Sequence, residues 1–119
     1  MTQLTAHVSR ELAQRLNGGR LPEGLVASEG AGMGYDGVVV EARDLDLVLY
    51  FDSTFGGDDG HSDTLRCYVT IAGVCVDHGW GLPDAPKVGA PELDLVAFIS
   101  AATQVVVERV LREGAPRPN

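Results

Sequence analysis

The side chains that could do chemistry are concentrated in one acidic segment near the middle of the chain. Within twelve residues it carries four aspartates and a histidine: Asp52, Asp58, Asp59, His61 and Asp63. Calcium binds several oxygen ligands at once, and Gly60 would help the segment to wrap around an ion. The spacing does not match an EF-hand loop, however, and the glutamate expected late in such a loop is missing. We therefore expect a solvated loop that binds a partner and no metal. A calcium-dependent binding domain is the alternative.

A second candidate for chemistry is a cysteine and a histidine. If Ala72 and Gly73 form a hairpin turn, Cys67 lies opposite His78. The cysteine could then act as a nucleophile and the histidine as its base. Cys67 belongs, however, to an alternating apolar strand, where an inert core cysteine is the usual outcome. The sequence has no Gly-x-Ser-x-Gly or Cys-x-x-Cys motif. We expect no enzyme, no catalytic residues and no cofactor.

The acidic excess of the chain lies entirely in its centre. Seventeen Asp and Glu against nine Lys and Arg give a net charge of −8. Residues 36–84 carry ten acidic residues against only Arg43 and Arg66, and this difference accounts for the whole net charge. A general nucleic-acid binder is excluded, because neutralising phosphates needs clustered basic side chains. A nuclease is disfavoured as well, since the only lysine is Lys87 in a proline-rich loop. The expected partner is a protein with a basic surface, or a neighbouring copy.

The sequence favours a cytoplasmic protein. The first residues lack the basic and apolar regions of a signal peptide. The most apolar stretch, 95–107, is interrupted by polar side chains and is too short to span a bilayer. The turn at Ala72 and Gly73 places Cys67 and Cys75 on opposite faces of a sheet, which excludes a disulfide between them. Eight arginines against a single lysine suggest a GC-rich bacterial or phage genome.

A glycine-rich segment, 29–37, could in principle bind phosphate. Such a loop needs a helix after it, because the free N–H groups of a helix N-terminus bind the phosphate. Here Val38–Ala42 follows, which has the pattern of a strand. The segment is therefore interpreted as a flexible connection between strands.

The remaining patterns predict a helix, about five strands and a second helix. Leu4, Val8, Leu12 and Leu16 form a helical stripe that ends at Asn17, with Glu11 and Arg15 as an i,i+4 pair. Strands are predicted over 25–28, 38–42, 45–51, 65–71 and 74–80, with a tight turn at residues 43–44. Capping and charge signals place a long helix over residues 91–112, despite three consecutive valines at 105–107. We expect an α+β fold with an antiparallel meander sheet. Residues 1–114 form one domain, and 115–119 form an extended tail.

The long helix has two apolar stripes on opposite sides. The first is expected to face the sheet: Leu95, Phe98, Ile99, Ala102, Val106 and Val110. The second is a candidate oligomer interface unless the first helix covers it: Leu93, Val96, Ser100, Val107 and Leu111. Trp80 lies at the end of the last predicted strand, where it would be either a partner contact or a lid over the core.

These observations together predict a non-enzymatic protein-interaction or assembly module, for example a phage or bacterial virion assembly component. Its acidic sheet and loop would face the partner, and its last helix would support a homo-oligomer. An acidic immunity or antitoxin-like inhibitor of a basic enzyme is the alternative. Charge complementarity would select and accelerate association in both cases.

Overall fold

The computed structural model describes residues 4–32, 35–53, 64–76 and 79–113. In this part of the chain two helices and five strands form an α+β fold, as predicted. Their bounds, in chain order, are α1 Ala6–Asn17, β1 Leu25–Gly32, β2 Tyr35–Ala42, β3 Leu47–Ser53, β4 Leu65–Ile71, β5 Val74–Cys75 and α2 Glu92–Glu113. A single 3-10 turn, Arg43–Leu45, connects β2 to β3.

The five strands form one antiparallel meander sheet in the order β1-β2-β3-β4-β5. Alternate side chains of each strand point to one face, where they form the core together with both helices. The central strands contribute Val38, Val40, Leu47, Leu49 and Phe51, all buried. The rings of Phe51 and Phe98 meet edge to face, with centroids 6.1 Å apart, which joins α2 to the middle of the sheet.

Helix α1 begins at Ala6 and ends at Asn17, and its end is where the sequence predicts. The Thr5 hydroxyl accepts a hydrogen bond from the Val8 N–H at 3.1 Å, which caps the first turn. Gly19, with φ of 110°, lies just beyond the last turn. The predicted pair between Glu11 and Arg15 is wrong, because Arg15 reaches across to α2 instead. Its Nε donates to Glu92 Oε1 at 2.6 Å, and Glu11 lies 3.4 Å from His7 Nε2.

Helix α2 buries the whole stripe that was predicted to face the sheet. The three consecutive valines remain helical, because burial of Val106 and Val107 outweighs the few tenths of a kcal/mol by which β-branched residues disfavour a helix. Among the described residues no helix is long and apolar enough to cross a membrane.

The strand boundaries differ from the prediction in three regions, and β3 in addition runs two residues further than predicted, to Ser53. The first is at the glycine-rich segment, where β1 runs on to Gly32 and β2 begins at Tyr35, so strand pairing occupies most of it. Pairing of Gly30 with Gly37 explains this, since neither residue has a side chain that could interrupt the ladder. A Cβ on Gly37 would lie only 2.3 Å from the Phe51 carbonyl oxygen. The close approach of β2 to β3 therefore requires glycine here.

The second difference is at the β2–β3 connection. It has four residues rather than two, because Asp46 adopts a left-handed conformation with φ of 52° and ends the 3-10 turn. Leu45 and Asp46 therefore precede the strand and do not belong to it. Leu47, Leu49 and Phe51 nevertheless share the buried face, as the two-residue period of a strand requires.

The third difference is at β5, which ends at Cys75 rather than continuing to Trp80. Gly79 and Gly81 have φ of 57° and 77°, values that a strand does not adopt. The turn at Ala72 and Gly73 is confirmed by positive φ at both residues, 53° and 79°. Ile71 pairs with Val74 as predicted.

The expected separation of the two cysteines is confirmed. Cys67 pairs with Phe51, a core residue, whereas Cys75 pairs with Thr70, so their side chains lie on opposite faces. Both cysteines are free. The predicted pairing of Cys67 with His78 lies outside the described residues.

Asn17 fastens the end of α1 to the edge strand. Its side-chain Nδ2 donates to the Ala27 carbonyl and its Oδ1 accepts from the Ala27 N–H, both at 2.8 Å. The amide thus satisfies the outward-facing backbone groups of a strand that has no further strand beside it. One side chain therefore protects the sheet edge and positions α1.

We expect Asn17→Ala to lower the free energy of unfolding by about 1–3 kcal/mol, because two hydrogen bonds to partly buried backbone groups are lost. Gln14→Ala, an exposed position on the same helix, is the matched control and should change stability by less than about 0.5 kcal/mol. Urea denaturation of the three proteins measures both values. An unchanged midpoint in Asn17→Ala would show that water replaces the amide without loss.

Candidate functional site

The face of the sheet opposite the helices is lined by side chains that lie outside the core cluster. We call it the open face. Its middle row crosses three strands, since Tyr50 pairs with Val39 on one side and with Tyr68 on the other. The next row contains Glu41, Val48 and Thr70. All six side chains are partly exposed. Aromatic and β-branched residues therefore occupy the centre of a surface on which neither helix packs.

Two charged side chains flank the middle row of the open face. Arg66 is exposed, and its Nη1 donates to the Tyr68 hydroxyl at 3.2 Å. The Glu41 side chain is 44% exposed, and its nearest cation is Arg43 Nε at 4.0 Å. An exposed ion pair of this length contributes at most about 1 kcal/mol. Both Glu41 and Arg66 therefore remain able to bind another molecule.

Asp52 belongs to the same face but is buried. It lies between Gly37 and Arg66 in the strand register and is only 3% exposed. Its Oδ2 has no hydrogen-bond partner. Burial raises the pKa of Asp52 from 3.8 to about 6, and the positive charge of Arg66 partly opposes this shift. Asp52 therefore does not present a carboxylate on the surface. The other members of the predicted acidic loop, Asp58, Asp59, His61 and Asp63, lie outside the described residues.

Trp80 lies over the end of the core rather than projecting from it. It is 7% exposed, and its indole Nε1 donates to the Val76 carbonyl at 3.4 Å. Arg109 on α2 donates to the neighbouring Gly79 carbonyl at 2.9 Å, which fastens this segment to the helix. One side of the indole borders a cavity of about 520 Å³ that is lined by Cys67, Tyr68, Val69, Cys75, Val76, Gly79 and Leu82. Of the two roles considered for Trp80, this position matches the lid.

The second stripe of α2 is divided between buried and exposed residues. Val96 and Val107 are 2% and 5% exposed, whereas Leu93 and Leu111 are 62% and 67% exposed. Ser100 donates its hydroxyl hydrogen to the carbonyl of Arg20, just beyond α1. The N-terminal part of the chain thus covers the middle of the stripe. Eighteen residues of helix, about 27 Å, separate the two exposed leucines, so they do not form one continuous patch.

The cysteine–histidine hypothesis receives no support from the environment of Cys67. Desolvation raises the pKa of its thiol from 9.0 to about 12, so the nucleophilic thiolate is absent at neutral pH. His78 lies outside the described residues. Within the four described ranges, no group of three or more His, Cys, Asp or Glu side chains could hold a metal ion.

The sequence interpretation assigned the partner surface to the acidic sheet and loop, and it did not single out the aromatic row of the open face. The two-residue period of a strand places Val48 and Tyr50 opposite the leucines of the same strand. Likewise, Arg66, Tyr68 and Thr70 alternate with core residues in β4. The signal that could have identified the surface is two tyrosines at paired positions on strands whose other face is apolar.

Comparison with known proteins gives no further assignment. No family model, no curated protein and no solved structure matches the chain.

Asp52→Asn should stabilise the protein at neutral pH by about 2 kcal/mol, because the amide keeps the shape of the carboxyl without a buried charge. A carboxyl whose pKa is raised on folding destabilises the native state only at pH values at which the carboxyl of the unfolded chain is ionised. The advantage of the variant should therefore be full above about pH 6 and vanish below about pH 4. Urea denaturation at several pH values measures it, with the exposed Asp44→Asn as control. A difference independent of pH would contradict the assigned cause.

The two thiols should differ greatly in reactivity. Cys75 is exposed, whereas Cys67 is partly buried with a raised pKa, so a thiol reagent should label one cysteine quickly and the other slowly. A Cys75→Ser variant should lose the fast phase and keep the slow one until denaturant is added. Rapid labelling of Cys67 in the folded variant would revive the nucleophile hypothesis.

Proposed function

We propose that this chain is a non-enzymatic protein-interaction module and that its partner binds to the open face of the sheet. The observation that carries the proposal is the partly exposed row of Val39, Tyr50 and Tyr68 across the three central strands. Tyrosine combines a large apolar ring with a hydroxyl, and it is enriched where proteins bind one another.

The shape of the open face also supports this proposal. It is one continuous surface on a rigid, hydrogen-bonded sheet, so a partner would bind without ordering a loop. The exposed leucines of α2 stand apart on a helix whose middle is covered by the N-terminal part of the chain. The open face is therefore a better docking surface than the second stripe of α2.

The charge of the chain adds selectivity. Acidic side chains lie around the β2–β3 connection, where Asp44 and Asp46 are both exposed. A negative rim beside an apolar and aromatic centre would disfavour acidic partners and speed the approach of basic ones. An assembly component, the interpretation favoured by the sequence, uses surfaces of this kind.

Two double variants distinguish the two surfaces. Tyr50→Thr/Tyr68→Thr removes the aromatic rings and keeps residues that favour strands. Leu93→Gln/Leu111→Gln removes the exposed leucines of α2. We expect the tagged chain to capture its partner from the cells that encode it, the tyrosine variant to lose at least about tenfold in captured partner, and the leucine variant to retain it.

Circular dichroism and the unfolding midpoint control for loss of the fold in both variants. If the leucine variant loses the partner and the tyrosine variant keeps it, the second stripe of α2 is the docking surface. Capture that survives both changes would overturn the assignment to the open face.

A further inference from the structure

The charged residues of the open face are arranged symmetrically about Tyr50. Val39 and Tyr68 are its direct neighbours in the register, and Glu41 lies two residues beyond Val39 along β2. Arg66 lies two residues from Tyr68 along β4, in the opposite direction along the strand axis. Each of the two charged residues thus lies on a strand next to that of Tyr50 and two residues further along the strand axis, which places it roughly 8 Å from Tyr50 on a diagonal. The acidic and basic positions are on opposite sides of the same tyrosine.

This arrangement is complementary to itself. Consider two copies whose open faces meet, with a two-fold axis in the plane between them. The axis passes over Tyr50 and is perpendicular to the diagonal line that runs from Glu41 to Arg66. The axis exchanges the positions of Glu41 and Arg66. Each Arg66 then faces the Glu41 of the other copy, and the two Tyr50 rings meet at the centre. A two-fold interface between identical chains requires such self-complementarity. If residue i of one copy contacts residue j of the other, then residue j of the first copy also contacts residue i of the second.

We propose that the partner bound by the open face is a second copy of this chain, in a face-to-face dimer with two Glu41–Arg66 ion pairs. The inference rests on the open face being the docking surface, as proposed above. The apolar middle row supplies the burial that drives association, and the two ion pairs select the orientation. Asp52, which pairs with Arg66 in the register, is buried; its carboxylate attracts Arg66 from within the sheet but does not itself reach the partner's surface.

The size of the face is typical of weak, transient interfaces. Val26 and Ser28 of β1 continue the rows of Glu41 and Val39. With them the face spans four strands spaced by about 4.8 Å and three rows spaced by about 6.8 Å, so two copies bury on the order of 1,000 Å² in total. This area lies at the low end for specific interfaces. The dimer is therefore reversible and forms at micromolar or higher concentration.

Charge exchange tests the proposal. Glu41→Arg places two arginines opposite each other at each pair and should weaken the dimer at least about tenfold. Arg66→Glu should do the same with two glutamates. The double exchange Glu41→Arg/Arg66→Glu restores opposite charges and should return the dissociation constant to within about threefold of the original. Sedimentation velocity from low to high micromolar protein measures each constant.

Matched controls make the same charge changes away from the face, namely Glu23→Arg and Arg112→Glu, both at exposed positions. They should leave the dimer unchanged. Arg66→Glu also places a second carboxyl beside Asp52 and could unfold the protein. Glu41→Arg and the neutral Arg66→Gln, which avoid this, therefore decide the outcome if Arg66→Glu and the double exchange lose the fold. Circular dichroism establishes which variants are folded.

A chain that remains monomeric at the highest concentration would overturn the dimer. So would folded single variants that associate normally, or a folded double exchange that fails to restore association. If the chain is monomeric and Tyr50→Thr/Tyr68→Thr still abolishes capture of a different protein, the dimer is wrong and the proposed docking face stands. If the tyrosine variant changes neither capture nor self-association, both proposals fail.

Discussion

Both helices bury their apolar stripes on the same face of the sheet, and the remaining features of the molecule depend on this one-sided core. Phe51 in β3 and Phe98 in α2 join the layers at the centre, while Asn17 and the Arg15–Glu92 pair hold α1 beside them. Neither helix packs on the opposite face, and the described side chains of its two central rows are partly exposed. That face is therefore free of helix contacts.

The residues of the open face are what such a position requires. They must favour the strand conformation, since the sheet depends on them, and they must also tolerate solvent. Threonine, valine and tyrosine do both, because β-branched and aromatic side chains suit a pleated surface that is partly exposed. Asp52 is the exception. It is held in a buried position where its carboxyl is costly to ionise, and Gly37 permits this by allowing β2 and β3 to approach closely.

The elements with strong local signals were predictable from sequence, and the contacts between elements were not. The glycines after Asn17 mark the end of α1. The turn at Ala72 and Gly73 fixes the pairing of Ile71 with Val74. The extent of β1 was underestimated because glycine disfavours strands in isolation, whereas pairing of Gly30 with Gly37 makes the strand continuous. Arg15 illustrates the same limit. Its i,i+4 partner is visible in the sequence, but its actual partner Glu92 is 77 residues away and depends on how the helices pack.

The candidate site was predicted only in part, for a related reason. Counting charges located the acidic centre of the chain but could not show that Asp52 is buried, since burial depends on the neighbouring strands. The periodicity of the strands did separate Tyr50 and Tyr68 from the core residues. It could not show that both described helices pack on the same side of the sheet, because a helix could have packed on either side. Which face is open is therefore a property of the tertiary structure.

The acidic charge and the proposed self-association are compatible because they act at different distances. A net charge of −8 on each copy opposes association, but at physiological ionic strength charges more than about 8 Å apart are largely screened. Within that distance, among the described residues, the open face carries Glu41 and Arg66, two surface charges of opposite sign whose positions are exchanged by a two-fold axis. Contacts through other acidic surfaces bring like charges together at short range, where salt screens them least. The acidic excess thus disfavours association through the other acidic surfaces and is compatible with the proposed meeting of two copies at the open face.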